Sequence, residues 1–173
     1  MKKFSITILL LFVLSSLTIK AQSNNQITYM LLLNDAKQNF ATIIGDQFNK
    51  SEDGSKTFHS CKDGFLTTTE FITVDNNNGK QKSYYTLYFN LSELNSDNLI
   101  HVSKIVEDAI GFANLLVSGG KYKGEDINNP ETNGVTTRLK DTATENAVME
   151  ITSGKYNGSQ MVMITFFGAN FYN

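Results

Sequence analysis

Ser83-Tyr84-Tyr85-Thr86-Leu87-Tyr88-Phe89-Asn90-Leu91 is the stretch on which the architecture turns. Its large side chains alternate in a period of two. Tyr85, Leu87, Phe89 and Leu91 fall on one side of an extended chain, and Tyr84, Thr86 and Tyr88 on the other. The first set suits a core. The second set is too apolar for a face that only meets water, so this strand has either two covered faces or one face that meets something else.

The last strong apolar run poses the same question. Across residues 159–167, Val162, Ile164 and Phe166 form one set, and Met161, Met163 and Phe167 the other. Further strand signals cover residues 57–61, 65–74, 134–140 and 147–153. Asp63-Gly64, residues 75–79, residues 142–146 and residues 155–158 supply the turns between them. Short strands joined by such turns predict an antiparallel meander.

Two segments carry helical spacing instead. In residues 28–48, Tyr29, Leu32, Leu33, Ala36, Phe40, Ile43 and Ile44 share a stripe at 100° per residue, which predicts one amphipathic helix followed by a turn-rich connector over residues 49–56. Residues 97–117 repeat the pattern with Leu99, Val102, Val106, Ile110, Ala113 and Val117, and His101, Lys104, Glu107, Asp108 and Asn114 take the wet face. Ser96 is placed to cap this helix and Gly119-Gly120 to end it. Residues 99–105 also read as a strand, with weaker periodicity. Residues 121–133, with the sole proline Pro130, read as a polar loop.

The expected order is therefore α-β-β-β-α-β-β-β. The fold class is α+β: a two-layer sandwich with one antiparallel sheet and two helices on one face. The two halves have similar lengths and element orders, which raises an internal duplication, although sequence identity between them is faint.

The chain begins with a leader pattern. Lys2 and Lys3 precede an apolar run over residues 4–17, within the roughly 7–15 residues of a signal h-region and short of the about 20 needed to span a bilayer. Ile19 and Ala21 suit a signal-peptidase site. The expectation is a signal peptide over residues 1–21 and a single domain over residues 22–173, secreted or periplasmic, with no integral membrane segment once the leader is cleaved. The residue directly after Ala21 is Gln22 rather than a cysteine, which argues against a lipid anchor. The Lys20-Ala21-Gln22 ending resembles the signal peptides of exported Bacteroidota proteins, and a Lys- and Asn-rich composition fits that resemblance. Asp141-Thr142-Ala143 similarly resembles a short O-glycosylation acceptor of exported Bacteroidota proteins, which implies an exposed turn.

Composition removes several function classes. Cys61 is the only cysteine, so no internal disulfide can brace the domain, and a chain of about 150 residues relies on its core. The whole chain has a net charge of −2. Without Lys2, Lys3 and Lys20 it keeps 12 basic residues, Arg138 the sole arginine, against 17 acidic ones, or −5. No basic stripe is available to displace counterions from phosphates, so nucleic acid is not the expected partner.

Chemistry-bearing residues are sparse. His59, Cys61 and Asp63 share one side of a strand, but three ligands fall short of the four a zinc site uses. A Cys61–His59 dyad fails on geometry, because neighbours two apart on a strand lie about 6–7 Å apart with parallel side chains. Asp75, Asn77 and Gly79 begin like a calcium loop, yet the fifth position is Gly79 and the twelfth is Thr86. The acidic pairs Glu52-Asp53, Glu107-Asp108 and Glu125-Asp126 are sequence neighbours, as on a solvated surface. No phosphate loop, nucleophile elbow or His-Glu-x-x-His occurs. Neither cofactor nor metal is expected.

Two function readings remain. The first is an exported, non-catalytic binding domain that captures a protein or a small apolar ligand on a sheet face displaying Tyr84, Tyr88, Met161, Met163 and Phe167. The alternative is a small periplasmic hydrolase or lyase whose polar groups converge only in three dimensions.

Overall fold

The computed structural model describes residues 24–62, 69–77, 79–130 and 133–172. The leader over residues 1–21, Asp63 with its turn partner Gly64, and the expected start of a strand at residue 65 lie outside the described residues.

Helix α1 spans Asn24–Asp35 and α2 spans Ser96–Ser118, and each precedes four strands. The first four are β1 (Ile44–Lys50), β2 (Lys56–Cys61), β3 (Glu70–Asn77) and β4 (Lys80–Asn90). The second four are β5 (Tyr122–Asn129), β6 (Gly134–Asp141), β7 (Ala147–Tyr156) and β8 (Ser159–Phe167). All pairings are antiparallel, in one eight-stranded sheet of order β1-β2-β3-β4-β8-β7-β6-β5. The two most apolar strands, β4 and β8, are thus neighbours at the centre.

Eight strands replace the expected six, and each additional strand has a physical cause. Helix α1 does not run to residue 48. A 3₁₀ turn at Ala36–Gln38 follows it, and Asn39 takes the left-handed conformation with φ 56°. There the Asn39 N–H donates to the Ala36 carbonyl at 3.0 Å and the Phe40 N–H to the Asp35 carbonyl at 3.1 Å, the bond pair of a Schellman stop. Phe40, also left-handed at φ 62°, and Ile43 remain buried beyond the stop, so the apolar stripe outlives the helix that it seemed to define. Residues 44–50 then form the edge strand β1, which breaks register twice against β2 and so discourages further pairing.

The other addition, β5, replaces the expected loop. Its eight residues pair without interruption with β6, from Tyr122 opposite Asp141 to Asn129 opposite Gly134. At the sheet edge the ladder itself holds the strand, and its polar side chains show no alternation to read.

Residues 99–105 are helical. Asn95 rather than Ser96 caps α2, its side chain accepting the Asn98 N–H at 2.9 Å, and Gly120 takes the positive φ of 75° after the helix ends. The buried stripe is also turned from the expected one. Val102, Ile105, Asp108, Ala109, Phe112 and Ala113 are buried, whereas Leu99 and Val117 are exposed. Asp108 is inside because it ties the helices together: it accepts the Asn25 side-chain amide at 2.9 Å and the Lys104 ammonium at 2.6 Å.

The core collects on one side of the central strands. Tyr85, Leu87 and Phe89 stand opposite Phe166, Ile164 and Val162, with Ile72 beside Tyr85 and with Met149 and Ile151 beside Phe166 and Ile164. All are buried. Tyr29 of α1 stacks on Phe166 at 6.0 Å, meets Phe112 of α2 at 5.8 Å, and donates its hydroxyl to the Ile105 carbonyl at 2.9 Å. Phe40 packs on Tyr85 at 6.2 Å. No described helix is long and apolar enough to cross a membrane, a statement that leaves β-barrels aside.

Candidate functional site

Pairing of β4 with β8 brings the expected binding residues together. Tyr84 stands opposite Phe167, Tyr88 opposite Met163, and Asn90 opposite Met161. Strand alternation puts the whole set on the side away from Tyr85, Leu87, Ile164 and Phe166. Tyr84, Tyr88, Met163 and Phe167 are half-buried. Met161 departs from expectation. It has the right parity but is only 4% exposed, at the end of β8 where Ser92 of the 3₁₀ turn Leu91–Glu93 accepts the Gln160 N–H at 3.0 Å. Met161 therefore supports the face and does not present to a partner.

Between the large side chains lies a floor of small ones. Thr86 pairs with Thr165, Thr73 lies beside Tyr84, and Thr152 beside Met163. Thr73, Thr86, Thr136 and Thr152 are buried, and the Thr136 and Thr152 hydroxyls bond each other at 3.0 Å. Side chains this short sink beneath taller neighbours.

Several members of this face escaped the sequence reading. Phe58 and Phe71 meet edge to face at 6.1 Å on β2 and β3, on the same side as Tyr84. Their signal was the period-two spacing of those strands, weaker because each contributes one aromatic to the face. Phe171 and Tyr172 come from a 3₁₀ turn after β8, Ala169–Tyr172, and no strand pattern could have placed them. Phe171 lies 4.6 Å from Phe167 and 6.0 Å from Tyr84, ring centre to ring centre.

Toward β5 the face turns ionic. Arg138 bonds Glu150 at 2.5 Å and approaches Glu125 at 3.6 Å, while Lys140 reaches Glu125 at 2.6 Å. The hydrogen bond from Lys140 is the main reason that the Glu125 carboxyl sits below its ordinary value.

Among the described residues, His59 and Cys61 form no hydrogen bond with each other. The His59 ring meets the Gly45 carbonyl at 3.3 Å and the Thr57 hydroxyl at 3.0 Å, neither of them an acid. Burial, with the Glu70 carboxylate nearby, pushes the Cys61 thiol up to about 12, away from the thiolate a nucleophile needs. Glu70 accepts the Tyr85 hydroxyl at 2.7 Å, and burial first, then this bond, raises that phenol. His101 stands on the exposed side of α2. Among the described residues no group of three or more His, Cys, Asp or Glu could hold a metal ion. Asp75 pairs with Lys56 at 3.8 Å across the strands. A groove of about 150 Å³ between α2 and β8 is lined by Leu91, Leu99, Val102, Val106 and Val162, with Glu107 its only acidic lining residue.

Comparison with known proteins gives no relative: no family profile, curated protein or solved structure matches the chain.

Proposed function

We propose that this chain is an exported, non-catalytic binding domain that captures a protein or a small apolar ligand on the sheet face displaying Tyr84, Tyr88, Met163 and Phe167. Helices α1 and α2 cover the opposite face, and the matching sets of one helix and four strands favour an internal duplication. Export follows from Lys2-Lys3, the apolar run and Ala21.

One observation carries the reading. Four large apolar side chains, adjacent in register at the centre of the sheet, are only partly buried on the side away from the core. Aromatic and thioether groups bind at low cost in conformational entropy and adapt to the partner's shape, so such a patch is suited to contact.

The test is the double variant Tyr88→Ser/Met163→Ser, compared with the parent chain in bis-ANS binding and thermal unfolding. A docking face loses most of its dye binding while the melting temperature falls by no more than about 4 °C, the effect of roughly 1 kcal/mol in a domain of this size. A collapse of the melting temperature would place both residues in the core and remove the proposal.

A further inference from the structure

Two strands end the sheet, and they end it differently. β1 breaks register twice against β2, whereas β5 pairs without interruption from Tyr122 to Asn129, and among the described residues no strand lies beyond it. The Thr142 N–H donates to the Lys121 carbonyl at 3.0 Å, which sets the phase of the β5–β6 ladder. Bonded and non-bonded pairs alternate in such a ladder, so Lys123, Glu125 and Ile127 turn their backbone groups to β6. Tyr122, Gly124, Asp126 and Asn128 turn theirs to the open edge, and the last three are exposed.

An exposed, unbroken edge is a template for another strand. The charges along β5 select which strand fits. When a second β5 pairs antiparallel about a two-fold axis through Gly124, Tyr122 meets Asp126 of the second copy, and Lys123 meets its Glu125 on the outer face. Moving the axis by one residue sets Lys123 against itself or Glu125 against itself, and moving it two residues onward sets Asp126 against itself. Like charges directly opposite are unfavourable. Lys123 and Glu125 have ion pairs in their own chain, with Glu145 and Lys140, yet their side chains stay 48% and 38% exposed, so the new contacts extend that row.

Gly124 suits the axis. A Cβ there would meet only Val117, at 3.9 Å, an ordinary contact, so the single chain does not require glycine at this position. Glycine inside a strand often marks the close approach of another backbone. Val117, 38% exposed at the end of α2, stands beside the same position and would meet its counterpart across the axis.

We propose that β5 is a dimerisation edge, which pairs with β5 of a second copy of this chain about Gly124 and joins two sheets into one. The register breaks in β1 oppose growth at the other edge, so the assembly closes at two chains. β5 lies three strands from β8, and the proposal stands without the binding reading of the central face.

Sedimentation velocity of the purified chain, from micromolar to millimolar concentration, shows monomer giving way to dimer, as befits a small interface. Gly124→Pro removes an edge N–H without touching the bonds to β6, and holds the chain monomeric throughout. Where that variant fails to unfold cooperatively, Lys123→Glu takes its place and weakens association about tenfold by setting like charges opposite each other. Register is read by crosslinking in a Cys61→Ala background, which removes the only cysteine. Gly124→Cys then forms an interchain disulfide, since facing bonded residues stand about 5.5 Å apart between Cα atoms. Asp126→Cys does not, because its counterparts lie about 14 Å apart along the strands. A monomer at every concentration would overturn the proposal. So would a dimer indifferent to Gly124→Pro or its substitute Lys123→Glu, and so would crosslinking at residue 126 as fast as at residue 124.

Discussion

Phe166 and Phe167 are neighbours in one strand, and truncating each in turn weighs the two faces of the sheet against each other. Phe166 is fully buried, 6.0 Å from the Tyr29 ring and 6.3 Å from that of Tyr85, and its partner across β7 is the buried Met149. Cutting a core phenylalanine to alanine costs about 3–5 kcal/mol, the lost transfer energy plus the cavity left behind. Phe167 is half-buried, and its closest ring is Phe171 at 4.6 Å. An aromatic pair contributes about 0.5–1.5 kcal/mol beyond area, so with partial loss of burial the cost of Phe167→Ala is about 1–2 kcal/mol. The expected gap is therefore about 2–3 kcal/mol in favour of Phe167→Ala. Urea unfolding followed by far-UV circular dichroism measures it, provided that both variants keep the parent's slope against urea. Equal losses, or a larger loss for Phe167→Ala, would refute the assignment of the two faces.

Two further outcomes follow from particular residues. The thiol of Cys61 is pushed from its ordinary value of 9.0 to about 12, so between these values the unfolded chain gives up a proton that the folded chain keeps. That contribution is whole below about pH 9 and is lost as the pH climbs toward 12; Cys61→Ala removes it from the alkaline stability profile, whereas an unaltered profile would contradict the assignment. Asn39 holds φ 56° at the helix stop, so Asn39→Ala loses about 1–2 kcal/mol and Asn39→Gly less, although both lose the bond to Asn170. Thermal unfolding ranks the pair, and an alanine variant as stable as the glycine one would discount the left-handed turn.

How far the sequence could be read depends on which force holds each element. Strands β4 and β8 were legible on both faces because one side is a buried core and the other a row of large apolar groups, so both sets alternate visibly. The rest of the sheet was harder. Along residues 28–48 apolar spacing continued past the true end of α1, since Phe40 and Ile43 reach the same core from a turn; the stop is set by one left-handed asparagine. Strand β5 carries Lys123, Gly124, Glu125 and Asp126 in sequence, and it is held by the ladder to β6 and by ion pairs such as Glu125 with Lys140, neither of which leaves an apolar alternation. The orientation of α2 shifted because Asp108, polar and apparently external, is satisfied inside by Asn25 and Lys104. The shared face of Tyr84, Tyr88, Met163 and Phe167 was readable from alternation, whereas the burial of Met161 and the return of Phe171 depend on turns after β4 and after β8.

The account's central claim is that this sheet has one covered face and one accessible face, and its methionines report on both. Met149 is 1% exposed beside Phe166, Met163 is half-buried beside Tyr88, and Met30, at 40% exposure on α1, gives the rate for an open side chain. Limited oxidation of the folded protein by hydrogen peroxide, read residue by residue by mass spectrometry, compares them directly. The account predicts sulfoxide at Met163 forming at a rate near that of Met30, with Met149 protected until the chain unfolds. Protection of Met163 to the same degree as Met149 would contradict it.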